Sequence, residues 1–444
     1  MTHSDEYRKP EVTRIIVTRV FGEGILFVEG EAHRKQNPAF GYAQIRDLTS
    51  LFLEKSTQLR DIWANSVQEK GDDWTRIDVL PDISRMTLDV IGLAGFGYEF
   101  NALNPSGEVN PLSQALNEIL GSAGGTSIVG AMAGLVPGFQ YLPTKAAREI
   151  NAARKKMMQI GSELVAERKA YILATAGEKN VKVSDSGFEG RDLLTLLMKA
   201  NMASDIPESQ RLRDEDVVAQ IPTFFVAGHE TTSSAVTWCL YALSSNTRVQ
   251  QKLREELMTM PNDMPSMDEL MTLPYLDLVL RETLRLFPPV TATIRQATKE
   301  DFIPLNKPFT DKYGEVHDTI KVGAGDQIVI PIVALHRMKE IWGEDADEFK
   351  PERWECIPEA VSSIPGVWGN IFSFIGGARG CIGYRFSLIE FKALLFTLLR
   401  ALEFNLAVPA DDIARRTAVL MRPVVKSEAE KGNQMPLLIR PVRC

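Results

Sequence analysis

The stretch FSFIGGARGCIGYRFSLIEFKALL, Phe372 to Leu395, places Gly376, Gly377 and Gly380 just before Cys381 and Gly383 just after it. An amphipathic pattern begins at once, so the chain loosens around one sulfur and then stiffens into a helix. The ordinary reading of a lone cysteine is a small buried hydrophobe. The neighbours point elsewhere. Phe374 lies seven residues before Cys381, Gly377 four before, Arg379 two before and Gly383 two after.

Each neighbour has a task if Cys381 binds iron as a thiolate. Glycines let the loop curl so that backbone N–H groups reach the sulfur and tune its basicity. The helix that follows turns its positive end to the thiolate and favours the ionised form. Arg379 supplies a cation for a carboxylate on the cofactor, and Phe374 is placed to shield the sulfur. With these residues in view, FIGGARGCIG resembles the haem-binding signature of the cytochrome P-450 family, the haem-thiolate monooxygenases. The resemblance implies haem b (iron protoporphyrin IX) as cofactor, with Cys381 as its iron ligand.

Two further segments resemble the same family. AGHETTSSAVTW, residues 227–238, lies in a long apolar helix. Ala227 and Gly228 remove side-chain bulk at one point, which would let a flat cofactor or O₂ approach the backbone. Thr231 can bond back to the carbonyl four residues earlier and open the helix locally. Glu230 is an acid in an apolar helix, which is costly without a role. Read from the residues alone, the segment is equally a small-residue helix contact with a solvated acid. The resemblance implies that Glu230 and Thr231 are catalytic and relay protons to iron-bound oxygen. In ETLRLFPPV, Glu282 and Arg285 stand three apart on one helix face and can pair. Arg353 in FKPERW offers a second guanidinium. The resemblance implies a buried, structural Glu–Arg–Arg cluster bracing the cysteine loop, tolerable only if fully hydrogen-bonded. It also implies that Arg295, in TATIRQAT, meets a haem propionate. In GEAHRKQNPAF, His33 would occupy a propionate-contacting position of the fungal microsomal members, and reads equally as a surface histidine. About one helical turn is missing there relative to the family pattern.

Helical periodicity dominates the 444 residues. Helices are predicted over 46–67, over 82–91 with Asp82 as N-cap and a stop near Gly92, over 144–176 and over 190–201. A long helix is predicted over 213–246, another over 275–287 and a last one from Gly383 to about Leu402. TATIRQAT, TIKV and QIVIPIV read as strands, and short strands follow the last helix. The fold class is therefore mainly α with a small β portion, and the resemblance implies the cytochrome P-450 fold. Residues 1–444 read as a single haem-thiolate domain without the usual N-terminal anchor and first strands, so the sheet over 290–333 is expected to lack partner strands and expose an edge.

A net charge of −8 argues against nucleic acid as the main partner. Four scattered cysteines form no disulfide framework and fit a reducing, intracellular setting. The N-terminus is neither a signal peptide nor a spanning helix. Residues 119–144 carry no charge but hold glycines and prolines, and read as an apolar cover over a pocket or a surface resting on membrane. The family's usual place is the endoplasmic reticulum membrane; without an anchor this chain is expected to be soluble or peripheral. No nucleotide-binding fingerprint is present. The resemblance therefore implies hydroxylation of an apolar small molecule with O₂ and electrons from an NADPH-dependent flavoprotein reductase. Arg385 and Lys392 are candidates for docking that partner. The competing readings are a haem-thiolate isomerase or peroxygenase needing no reductase, and a truncated, non-catalytic remnant that binds haem weakly.

Overall fold

The computed structural model describes residues 3, 5–21, 24–28, 30, 41–71, 73–104, 110, 112, 145–175, 192–202, 212–417 and 420–442. His33, the apolar stretch 119–144 and most of the Gly/Ser/Lys-rich segment 175–190 lie outside them. The principal helices are α1 (Glu11–Phe21), α2 (Tyr42–Lys70), α3 (Val79–Phe96), α4 (Lys145–Thr175), α5 (Leu193–Met202), α6 (Gln220–Ser245), α7 (Thr247–Met258), α8 (Pro274–Leu286) and α9 (Tyr384–Ala401). Helix α6 crosses the core and packs on α3, while α9 packs on α2. The apolar residues of α6 are buried nearly all round, as its sequence predicts.

Two helix boundaries differ from the sequence reading for local reasons. Asp78, not Asp82, caps α3, accepting from the Leu80 amide, and the helix runs through Gly92 to a left-handed Gly97. Gly92 is needed inside the helix because a Cβ there would come within 2.5 Å of the Phe100 ring. Asp82 instead receives Trp63 Nε1 at 2.9 Å. The long helix expected over 213–246 is a short piece, Asp214–Val218, followed after Ala219 by α6. Pro222 has no N–H to offer the Val218 carbonyl, so the first helical ladder cannot continue.

The β portion is small. Strands β1 (Tyr7–Arg8), β3 (Thr293–Ala297) and β6 (Gln327–Ile330) form one antiparallel sheet with β3 in the middle. Tyr7 pairs with Ala297, and Arg295 with Ile328. The N-terminal residues thus cover one edge of β3, and β6 has no neighbour on its far side among the described residues. Strands β4 (Asp301–Thr310) and β5 (Val316–Val322) form a hairpin. Strands β2 (Thr75–Asp78), β7 (Leu402–Leu406) and β10 (Pro436–Pro441) form a second sheet, and β8 (Ile413–Thr417) pairs with β9 (Met421–Val425).

A buried ion cluster fixes how α8 meets the irregular segment before the cysteine loop. Arg285 Nε and Nη2 donate to the Glu282 carboxylate at 2.9 and 2.8 Å, and Arg353 Nε approaches it at 3.4 Å. Trp354 Nε1 and the Lys350 amide add bonds of 3.0 and 2.9 Å to the same carboxylate. The guanidinium of Arg285 also donates to the carbonyls of His336, Ala346 and Glu348. With so many partners, burying these charges is tolerable. Removing one member leaves the others uncompensated, which costs about 3–5 kcal/mol. Glu282→Ala is expected to lose about that much in denaturant unfolding. Lys339→Ala, which breaks the exposed Lys339–Glu344 pair, is expected to leave the unfolding midpoint nearly unchanged.

Candidate active site

The cysteine loop is a tight fold of backbone. The Cys381 amide donates to the Phe374 carbonyl at 2.8 Å, and Gly380 N to Gly377 O at 3.0 Å. Gly377 has φ +66° and Ile375 φ +56°, a left-handed conformation that is strained for a β-branched residue. A Cβ on Gly380 would lie 2.7 Å from Val367 Cγ1. The Phe374 ring sits between Trp368 and Tyr384, with centroids 6.0 and 6.1 Å away. Gly383 is the N-cap of α9, and its amide donates to the Cys381 sulfur. Burial raises the thiol's pKa and this hydrogen bond lowers it. Yet Cys381 is exposed. A group deep enough to feel burial and still open to solvent lines a hollow inside the molecule.

Helix α6 presents the same signature. On a helix buried elsewhere except at Tyr241 and Ser245 near its end, Ala227 is exposed and Phe224, Gly228 and Thr231 are half-buried. Spaced by three and four, they form one open stripe. Thr231 Oγ1 donates to the Ala227 carbonyl at 2.7 Å, the back-bond that the spacing predicts. Gly228 has a packing reason of its own, since a Cβ there would lie 2.7 Å from Ile91 Cγ1 on α3. Glu230 does not belong to the stripe. It is buried, 3.1 Å from His229 Nε2, and paired with Arg422 of β9.

A third element is a cluster of cations. A cavity of about 620 Å³ brings together Arg295 of β3, Arg379, Gly376 and Phe372 of the cysteine loop, and Tyr7 of β1. Arg295 donates to Thr293 Oγ1 and the Ile294 carbonyl at 2.7 and 2.8 Å. Lys9 stands beside it, its ammonium pKa pulled down to about 7 by burial and then by Arg379, Arg295 and Arg14. Asp5 offsets the charge of Arg379 in part.

A family model for cytochrome P450 matches residues 3–426. The chain belongs to the cytochrome P450 family. It is 55% identical to "Cytochrome P450 monooxygenase 205" of Postia placenta, an alignment covering 99% of this chain and 81% of that one. It is 34% identical to "Cytochrome P450 monooxygenase claQ" of Ampulloclitocybe clavipes, over 98% and 80%. It is 32% identical to the ganoderic acid synthetase of Ganoderma lucidum, over 96% and 80%. This P450 is thus an oxidoreductase of the monooxygenase class with fungal relatives, in a family that implies a haem-thiolate cofactor, O₂ and a redox partner. Among the described residues no helix is long and apolar enough to cross a membrane.

The donor set fits that cofactor. Convergent cations repel one another unless a multiply charged anion joins them, and a porphyrin brings two carboxylates. An exposed thiol under the positive end of α9 suits a thiolate ligand. Lys9 and Arg14 were not legible as part of this set. They lie far from every motif in sequence, and only the pairing of β1 with β3 brings them near.

Behind the loop, His336 is a second residue that the spacing of motifs does not reveal. Its Nδ1 lies 3.0 Å from the Arg285 carbonyl and its Nε2 accepts from the Phe372 amide at 2.7 Å. Ser373 Oγ donates to the Leu284 carbonyl at 2.6 Å. The cluster on α8 is therefore tied directly to the start of the cysteine loop. Lys392 is corrected as a docking residue: it is buried, with Nζ 3.2 Å from Asp277. Arg385 is exposed, its guanidinium 4.7 Å from the Tyr384 ring centroid.

The neutral imidazole of His336 has a consequence for acid stability. Burial, then the Arg285 and Arg337 charges, pull its pKa to about 3, opposed by the bond to the Arg285 carbonyl; His229 is pulled to about 4. The unfolded chain takes up these protons near pH 6.5, before the folded one does. Stability is therefore expected to hold above about pH 6.5 and to fall as pH drops toward 4. His336→Gln, a neutral residue that retains hydrogen-bonding capacity, is expected to flatten part of that slope in denaturant titrations at successive pH values.

Proposed function

We propose that this P450 hydroxylates an apolar small molecule, with O₂ and electrons from an NADPH-dependent flavoprotein reductase, on haem b held by Cys381. The observation that carries the reading is a sulfur open to solvent in a buried setting, aimed at by the Gly383 amide and the start of α9. Residues 1–444 are read as one haem-thiolate domain, and an intracellular place at the endoplasmic reticulum matches the free cysteines and the family.

Bound there, the haem supplies O₂ activation, assisted by thiolate donation. The chain's own groups do the rest. Cys381 would ligate the iron, with Gly377 and Gly383 giving the loop its shape and Phe374 its aromatic wall. Arg379 and Arg295 would meet the porphyrin carboxylates, joined by Lys9; His33 is proposed for the same duty from outside the described residues. Ala227 and Gly228 leave room along α6, and that stripe is apolar apart from the Thr231 hydroxyl, which suits an apolar substrate and excludes water. The only proton of Thr231 is committed to the Ala227 carbonyl, so its oxygen is free to accept a further proton. Glu230, the next residue, is the proposed supplier.

Two outcomes test this. The reduced, CO-bound spectrum of the expressed chain is expected to show the red-shifted thiolate-type band, and Cys381→Ala to abolish it; a histidine-type band in the wild type would reassign the ligand. Thr231→Ala is expected to keep haem but divert reducing equivalents from product to peroxide, measured as peroxide formed per NADPH consumed. Unchanged coupling would remove Thr231 from the path.

A further inference from the structure

The tip of the β4–β5 hairpin gathers three side chains of metal-ligand type, and the haem site uses none of them. Asp311 follows the last residue of β4, Glu315 precedes β5 and His317 is the second residue of β5. The Asp311 amide donates to the Glu315 carbonyl at 2.9 Å, and Gly314, at φ +86°, turns the chain between them. Glu315 and His317 flank Val316, and the period of two along a strand puts both on one face. One donor atom from each of the three side chains lies within 4.8 Å of the other two.

Two of the three are already oriented by the chain. Asp311 Oδ1 accepts from the amides of Tyr313 and Glu315 at 2.8 and 2.9 Å. That leaves Oδ2 3.2 Å from His317 Nε2. The His317 ring is set in turn by Phe309, its partner across the strands, with ring centroids 5.3 Å apart. Zinc binds imidazole nitrogen and carboxylate oxygen at about 2.0–2.2 Å, so tetrahedral ligand atoms stand about 3.3 Å from one another. The Asp311–His317 distance already matches that spacing. Glu315 is the movable member, exposed and with no described residue bonded to its carboxylate. Two carboxylates this close repel unless a cation joins them. Lys312 is the cation in the turn, and its ammonium lies 4.9 Å over the Tyr313 ring instead of on either acid.

The outer end of this hairpin has little else to hold it. Its register breaks between Pro304 and Phe309, and beyond the break the strands pair only at Phe309 with His317 and Thr310 with Val316. Phe309, Tyr313 and Val316 are exposed there, so apolar burial contributes little. We propose that Asp311, Glu315 and His317 form a divalent-metal site of the zinc class that clasps the hairpin tip from both strands. The imidazole donor selects such a metal over calcium and magnesium, which take oxygen ligands and more of them. Three protein ligands leave a further position to water. On binding, the ion takes the Nε2 lone pair of His317, and the imidazole proton that Nε2 shared with Asp311 moves to Nδ1.

The test is calorimetric titration of Zn²⁺ into the purified, haem-loaded chain after its free metal has been removed by a chelator. One saturable site is expected. His317→Ala and Glu315→Gln are each expected to weaken it more than about tenfold. Asp318→Asn removes an exposed acid that neighbours His317 on the opposite face of β5, and is expected to leave the affinity unchanged. Glu315→Gln keeps the shape of an exposed side chain, so the readout stands even if His317→Ala loosens the hairpin. X-ray absorption at the zinc edge is expected to show one imidazole with oxygen donors and no sulfur. Equal affinity in wild type and Glu315→Gln overturns the site, as does a sulfur donor, which would place the ion on a cysteine. An equal loss in Asp318→Asn also overturns it, since the ion would then follow surface acidity alone. Displacement of Zn²⁺ by an equal concentration of Ca²⁺ overturns the choice of metal class.

Discussion

The thiolate role proposed for Cys381 forbids leaving its sulfur in hydrocarbon, and the groups around it meet that constraint. Burial alone raises its thiol, so the fold must bring compensating positive charge without bringing water. It does so with backbone: one amide, that of Gly383, and the first turn of α9 behind it. Backbone dipoles are cheap to orient once a helix exists, but only a chain that curls tightly can place them at a side chain's tip. Hence the left-handed Gly377 and the strained Ile375. Strain of this kind persists only where the surroundings over-determine it.

The surroundings that do so begin on α8. The Glu282 carboxylate collects two guanidiniums, an indole and an amide, and the Arg285 guanidinium collects carbonyls from the irregular segment that follows β6. His336 and Ser373 then hand that rigidity to Phe372 and Ser373 at the mouth of the loop. A hydrophobic contact in the same place would be as stabilising but less directional. Hydrogen bonds to a planar guanidinium and an imidazole fix angles as well as distances, and a ligand loop needs its angles fixed.

Much of this was legible in the sequence, for unequal physical reasons. The cysteine loop reads clearly because its chemistry depends on residues adjacent in the chain. The three ion-cluster residues read because two of them share a helix face. The helices read because burial imposes a period. What did not read was set by contacts between distant segments. Asp78 at the start of α3 also receives the distant Met435 amide, and Gly92 stays inside the helix because Phe100 folds back on it. Lys9 depends on β1 finding β3. Lys392 looked like a free cation because a helix face cannot be told from the sequence when Asp277 of α8 is brought beneath it. Glu230 read as an acid costly without a role, or as a solvated one, because nothing local marks Arg422, almost two hundred residues onward in the sequence, as its neighbour.

The two buried histidines show how the same side chain serves opposite ends. Each donates Nδ1–H to a carbonyl, so each exposes a lone pair at Nε2. At His336 that lone pair meets a backbone amide, a donor that never changes state, and the result is a rigid strut. At His229 it meets a carboxyl, a group whose donor can leave. A strut built from the second arrangement would fail each time the acid ionised. The first could not store a proton at all. The fold therefore sets the unchanging partner behind the cysteine loop, and the changeable one on α6 next to Thr231.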